Sequence, residues 1–211
     1  MIAGIILAAG ESRRFPTQNK LLYEFVPGMS ILESVLLAFL QSEINKIVIV
    51  TGHDSLNIIE KINILSSRHQ TPVSTVFNDN YQSGGMSSSI ITGLKAVINA
   101  DAVLITPADI PLIPTSVINA MISFCLHDSH DIIIPTFNQR KGHPILLKST
   151  LFPEILLISE KHRGLKEITT KHRKEIVYLP MQESGILNDL DTIKDLKKFS
   201  ETPNPIGKNS L

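Results

Sequence analysis

The chain is poor in cysteine, in net charge and in long apolar runs. Its 211 residues hold one cysteine, Cys125, which excludes an intrachain disulfide framework and a thiolate metal cluster. Cys125 lies in the apolar run from Val117 to Leu126, where a thiol reads as a small core side chain. Twenty basic residues balance twenty acidic ones, giving a pI near 7.1. That balance lacks the basic excess of a nucleic-acid-binding surface, although it leaves room for a local anion site. No segment reaches the roughly 18 to 20 apolar residues of a membrane span, and the start lacks the basic n-region of a signal peptide. The expectation is a cytoplasmic, soluble protein with neither nucleic acid nor membrane as partner. His69, His127, His130, His162 and His172 show no metal-ligand spacing and read as surface residues, and nothing suggests zinc or a Ser-His-Asp system. Neither GxxxxGK[ST] nor GxGxxG occurs.

What is present is an alternation. Short β-branched runs occupy Ile2–Leu7, Lys46–Thr51, Val73–Phe77, Ala102–Thr106, Asp131–Pro135 and Glu175–Leu179, with a further strand expected from Ile145 to Leu147. Between them, Ser30–Gln41, Ser55–Leu65, Met86–Asn99 and Pro114–Leu126 carry helical spacing. This rhythm predicts an α/β fold, a Rossmann-like, mostly parallel sheet with helices on both faces. The strands are nearly continuous in apolar residues, as when both faces are covered. A hydrophobic content of 43% supplies the core of one domain, taken as 1–200. Thr192 is placed to cap a last helix over Ile193–Phe199. Residues 201–211 read as a disordered tail.

In such sheets ligands bind beyond the carboxyl ends of the strands, so the loops there carry the argument. After the first strand comes Leu7-Ala8-Ala9-Gly10-Glu11-Ser12-Arg13-Arg14-Phe15, then Lys20. Small residues let a backbone approach a phosphate, and nearby cations offset its charge; a solvated surface loop is the bland alternative. After the Ala102–Thr106 strand, Asp109 stands in Pro107-Ala108-Asp109-Ile110-Pro111. It is either a turn aspartate bonding its own backbone or one carboxylate of a Mg²⁺ site, which usually combines few carboxylates with substrate phosphates. Asp189 and Asp191 alternate in Asn188-Asp189-Leu190-Asp191, so in an extended segment one of them can face a metal, and either can instead sit at a helix N-terminus. After the Val73–Phe77 strand, Gly84-Gly85-Met86-Ser87-Ser88-Ser89 opens a helix whose free N–H groups could hold a base or an anion. Gly142-His143-Pro144 forms a stiff corner able to press on a substrate or serve as a structural turn. His53 ends another strand and is a candidate for the same site.

Taken in order, LAAGESRRF, NKLL, VTGHD, NDNYQSGGMSSSI, PADIP, KGHPILL, HRGLKEI and LNDLDT resemble the MobA-like nucleotidyltransferases, and within them the branch that transfers cytidylyl groups to molybdenum cofactor. The resemblance spans residues 3 to 197. It implies an enzyme that joins CTP to the terminal phosphate of a molybdopterin-type cofactor with Mg²⁺ and releases pyrophosphate, the product passing to a molybdoenzyme. Under it, Arg13, Arg14 and Lys20 match triphosphate-contacting positions, with Arg13, Lys20 and Asp109 carrying the catalysis. Leu7, Ala8, Ala9, Gly10 and Ser12 would form the nucleotide loop. Gly85, Met86, Ser87 and Ser88 would face the base, with Thr51 and His53 near it. Asp109 and Asp191 would hold the metal, and Gly142, His143, Pro144 and Arg163 the acceptor. The Ala8-Ala9-Gly10 form resembles the cytidine-using branch, since the guanine-using one carries two glycines there. Departures are Pro16-Thr17-Gln18 in place of a glycine, Ala108 for glycine, and Ile193 for proline. The rival readings are transfer to a sugar phosphate or alcohol phosphate, and a non-catalytic chaperone that inserts finished cofactor.

Overall fold

The computed structural model describes residues 1–12, 15, 18–190, 192 and 195. The main elements run β1 (Ile2–Ala8), β2 (Glu24–Val26), β3 (Met29–Ser30), α1 (Ile31–Leu40), β4 (Lys46–Thr51), α2 (Ser55–Ser66), β5 (Val73–Phe77), α3 (Gly85–Lys95) and β6 (Ala102–Pro107). They continue with α4 (Thr115–His127), β7 (Ile132–Phe137), β8 (Arg140–Lys141), β9 (Ile145–Lys148), α5 (Phe152–Ile155), α6 (Leu165–Lys171) and β10 (Ile176–Pro180). The α/β fold expected from the sequence is present, and the strands fall within two residues of their predicted limits. Helix α3 stops at Lys95 rather than Asn99, the chain turning through Ala96 and Val97.

The main sheet has the order β10-β7-β9-β6-β1-β4-β5. Pairs β1–β4, β1–β6, β4–β5 and β10–β7 are parallel. Among the described residues, β9 alone runs against its neighbours β6 and β7, apart from the short β8 paired antiparallel to β7. The chain therefore builds outward from β1 through β4 to β5, then returns through α3 to the other side of β1. That reversal leaves a crevice at the carboxyl ends of β1 and β6.

Each face of the sheet carries its own core, as both-face coverage requires. Ile2, Ile6, Ile47, Ile49 and Leu104 pack with α1, α2 and α4. Ala3, Ile5, Val48, Val50, Val103 and Ile105 pack with α3, α5 and α6. Two glycines set the spacing. A Cβ on Gly4 would lie 2.7 Å from Phe39 Cδ1, and one on Gly93 would lie 2.5 Å from Ile5 Cγ2. Helices α1 and α3 thus press onto opposite faces of β1. Ser30 and Glu33 form a reciprocal capping box on α1.

Cys125 is buried, and burial pushes its thiol pKa up, the environment of an inert core thiol. Thr192 and Asp195 exchange hydrogen bonds in the manner of a capping pair. The helix expected after Thr192 and the tail 201–211 lie outside the described residues. Among the described residues, no helix is long and apolar enough to cross a membrane.

Candidate active site at the strand ends

A cavity of about 490 Å³ opens at the β1–β6 crevice on the α3 side of the sheet. The end of β1 and its loop contribute Leu7, Ala9, Gly10 and Ser12; the end of β6 contributes Pro107, Ala108 and Asp109; α3 contributes Gly85, Met86 and Ser89. Lys20, Phe15, Leu21 and Tyr81 complete the wall. Odd-numbered positions of β1 face α3, which is why Leu7 and Ala9 reach the cavity and Ala8 is buried on the other face.

The loop after β1 is held from several sides. Asn19 Oδ1 accepts from Ser12 Oγ at 2.8 Å and from the Leu21 amide at 3.1 Å. Ser12 takes a left-handed backbone, φ 52°. The His53 amide donates to the Ala9 carbonyl at 3.2 Å, tying this loop to the end of β4. Lys20 Nζ donates to Asp109 Oδ2 at 2.7 Å, with side chains 15% and 21% exposed. A cation and a carboxylate named from two separate motifs therefore meet at the cavity wall.

A second cavity of about 440 Å³ adjoins the first and shares Met86, Pro107 and Asp109 with it. Its other walls include Lys141, His143, Ile186 and Asp189. The Leu190 amide donates to the Asp109 carbonyl at 2.9 Å, and the His143 amide to the Ile186 carbonyl at 3.0 Å. These two bonds dock the segment from Ile186 to Leu190 against the loop after β6 and the corner before β9, and bring Asp189 to the cavity. The His143–Pro144 peptide is cis. His143 Nδ1 is buried with no hydrogen-bond partner. Burial holds the His143 pKa below the ordinary histidine value, outweighing Asp109, the Ile105 backbone and Asp189, which pull it up. The shift favours the neutral ring, which offers hydrogen bonding rather than positive charge.

The amino terminus of α3 differs from expectation. The Ser87 amide is not free: Glu160 Oε1 accepts from Ser87 N and from Ser87 Oγ, each at 2.7 Å. Ser88 and Ser89 hydroxyls both accept from Asn78 Nδ2, at 2.8 and 3.0 Å. One helix turn thus commits all three serines to contacts outside the helix, and Ser89, not Ser87 or Ser88, faces the first cavity.

Of the other predicted residues, Thr51 is buried and bonds the Val76 carbonyl at 3.4 Å, outside the cavity wall. His53 lies against Tyr81, ring centroids 6.5 Å apart, and lines a neighbouring polar hollow with Asp54 and Asn57. Gly142 and Pro144 are buried, and only His143 of that corner reaches the second cavity. Arg163 is exposed, with φ 67°. Arg13, Arg14 and Asp191 lie outside the described residues. Sequence reasoning named the motifs that hold Tyr81, Ser89 and Lys141 without singling out those three side chains, which line the cavities. It missed Glu160, which carries no local signal.

Among the described residues no group of three or more His, Cys, Asp or Glu side chains gathers as a metal cage. Asp109 and Asp189 do line one cavity, which suits a cation that takes one or two carboxylates and completes its shell with phosphates.

The fold is shared with a nucleotidyl transferase from Methanothermobacter at a TM-score of 0.75 and 18% identity, over 94% of this chain and 95% of that one. Residues 4–176 match the MobA-like NTP transferase domain, and the chain belongs to that family. It is 29% identical over 201 residues to a molybdenum cofactor guanylyltransferase of Haemophilus influenzae, covering 93% of this chain and 96% of the relative. It is 28% identical over 124 residues to a 2-C-methyl-D-erythritol 4-phosphate cytidylyltransferase of Lachnoclostridium phytofermentans, a match over 58% of this chain and about half, 51%, of that relative. Rv0371c of Mycobacterium tuberculosis H37Rv, in a crystal structure with manganese, shares the fold at a TM-score of 0.74 and 19% identity, over 95% of this chain and 98% of that one.

Proposed function

We propose that this protein transfers CMP from CTP to the terminal phosphate of a molybdopterin-type cofactor and releases pyrophosphate. The observation that carries the reading is the sharing of Asp109 between two adjoining cavities, one walled by the β1 loop and Lys20, the other by Lys141, His143 and Asp189. Two anionic substrates need two sites that meet where the phosphates react. The first cavity, lined by Ala9 and Gly10, suits the nucleotide; the second suits the acceptor. Nearly full-length similarity to a molybdenum cofactor guanylyltransferase supports that acceptor class. The Ala8-Ala9-Gly10 form supports cytosine over guanine.

An acceptor phosphate oxygen attacks the α-phosphorus, the α–β anhydride breaks, and pyrophosphate leaves. The attacking phosphate is already ionised, so no general base is needed. The protein's work is to hold both anions in line and to offset their charge. Lys20 and, by the family resemblance, Arg13 and Arg14 would offset the charge of the departing pyrophosphate. Mg²⁺, held by Asp109 together with Asp189 or Asp191, would supply further charge neutralisation at the α-phosphate; the manganese in a structure of the same fold is in keeping with a divalent ion. A cytoplasmic setting and a molybdoenzyme that receives the product belong to the same proposal.

The test is pyrophosphate release from CTP, GTP, ATP or UTP with Mg²⁺ and molybdenum-loaded molybdopterin. Release with CTP alone, abolished in Asp109→Ala, is the expected result. Release with GTP alone would overturn the base assignment and leave the transfer chemistry standing. The cytidylyltransferase match favours one second reading, the same transfer to a sugar phosphate or alcohol phosphate, and release only with such acceptors would establish it. Tight cofactor binding without release from any nucleotide would point to an insertion chaperone.

A further inference from the structure

Helix α3 starts without a cap of its own. Its N-cap residue, Gly84, makes no side-chain hydrogen bond, and no acidic residue stands in its first turn. The first amides of a helix have no intrahelical acceptor, and the helix dipole adds partial positive charge there. The acceptor arrives from 73 positions away in the chain: Glu160 Oε1, at 2.7 Å from both Ser87 N and Ser87 Oγ.

The backbone on both sides is shaped around that carboxylate. Gly85 has φ +58°, and a Cβ on it would lie 2.5 Å from Glu160 Cγ. Gly164 has φ +55°, and a Cβ on it would lie 2.8 Å from Ser87 Oγ. Arg163, next to Gly164 in the chain, is also left-handed, at φ 67°. Its amide donates to the Glu160 carbonyl at 3.0 Å, and the Gly164 amide to the Ser159 carbonyl at 2.9 Å. The two glycines take positive φ without strain and leave room for the contact, whereas a non-glycine residue such as Arg163 holds that backbone only where its surroundings over-determine it.

Glu160 itself lines neither cavity. What it holds does: Gly85 and Met86 wall the first, and Met86 also walls the second. Arg163 leaves the same turn as Glu160. We infer that Glu160 is a positioning residue for nucleotide binding, its carboxylate clamping the first turn of α3 to the Glu160–Gly164 turn so that the cavity wall keeps its shape. This rests on the nucleotide reading proposed above.

The experiment is calorimetric titration of the full chain with CTP or GTP in Mg²⁺, for wild type, Glu160→Ala, Glu160→Gln and Glu160→Asp, each well below its own unfolding temperature. Glu160→Ala is expected to weaken binding of the preferred nucleotide by about tenfold. Glu160→Gln, whose amide oxygen still accepts from Ser87, is expected within about threefold of wild type. Glu160→Asp keeps the charge but is one methylene short, and is expected to bind weakly; it decides the matter if Glu160→Ala does not fold. Wild-type affinity in folded Glu160→Ala or Glu160→Asp would overturn the inference alone. Tighter binding in Glu160→Ala would also overturn it, by making Glu160 a competitor for the Ser87 amide. Failure of wild type to bind either nucleotide would sink the nucleotide reading and the inference with it.

Discussion

Lys20 Nζ lies 2.7 Å from Asp109 Oδ2, and the pair ties the loop after β1 to the loop after β6 across the crevice. Two charges this close and mostly screened from water interact more strongly than they would at an open surface. Lys20→Met and Asp109→Asn are each expected to lower pyrophosphate release by about 10²- to 10³-fold. The double variant should fall little below the worse single one, because each change already breaks the shared contact. Fully additive losses in kcat/KM would mean that the two side chains work independently.

Ala9 presents its face to the first cavity, and its carbonyl is already committed to the His53 amide. Ala9→Gly would remove one methyl from the wall without touching that bond. The expected outcome is a shift in the CTP-to-GTP ratio of kcat/KM of about tenfold toward GTP, the scale of one apolar group in a binding pocket. Competition assays with both nucleotides present would measure it; an unchanged ratio would place base selection elsewhere.

Gly185 is needed for close approach. A Cβ there would overlap the Leu112 carbonyl oxygen, and the same segment carries Ile186 and Asp189 into the second cavity. Gly185→Ala should destabilise the fold by about 1–3 kcal/mol through overpacking and raise the KM for acceptor more than that for nucleotide. Chemical denaturation and two-substrate kinetics read the two effects separately.

His172 bridges two glutamates, with Nε2 at 3.1 Å from Glu154 Oε2 and Nδ1 at 3.1 Å from Glu175 Oε2. The bond to Glu154 is the main cause of its raised pKa, from an ordinary value of 6.5. The stabilisation is therefore complete below about pH 6.5 and is lost as pH rises through the folded-state value. Glu154, lowered by Lys171 and His172 from an ordinary 4.5, contributes above that value and loses its contribution on acidification. The advantage of wild type over His172→Gln in unfolding temperature should be largest near pH 5.5 to 6 and shrink by pH 8. Its size should be small, on the order of 1 °C, because the cluster is near the surface. A gap that widens toward pH 8 would reverse the assigned direction.

Legibility from sequence followed the range of the physics. Strands β1, β4 and β6 were readable because buried parallel strands are nearly continuous in apolar residues. The hairpin of β2 and β3 escaped, although Pro27-Gly28 marks its turn and Gly28 has φ 78°. Strand β9 was visible as a strand but not as the reversed one, since nothing local encodes the direction of a neighbour. In the site, the Gly10, Lys20 and Asp109 motifs were legible because loops at strand ends concentrate small and charged residues. Glu160 was not, because an exposed glutamate in a polar turn looks like any solvated acid until its partner is known. Ser87 was read as offering a free amide for the same reason.

By itself the sequence determined the alternation of strands and helices, the burial of both sheet faces and the chemistry stored in each strand-end loop. These follow from period, turn residues and side-chain type, all of which act over a few positions. Tertiary structure alone decided that Lys20 meets Asp109, that Asp189 enters the second cavity through the Leu190–Asp109 backbone bond, and that Glu160 closes the start of α3. Those pairings join residues tens of positions apart, brought together by the β1–β6 pairing and by the packing of α3 on the turn at Glu160.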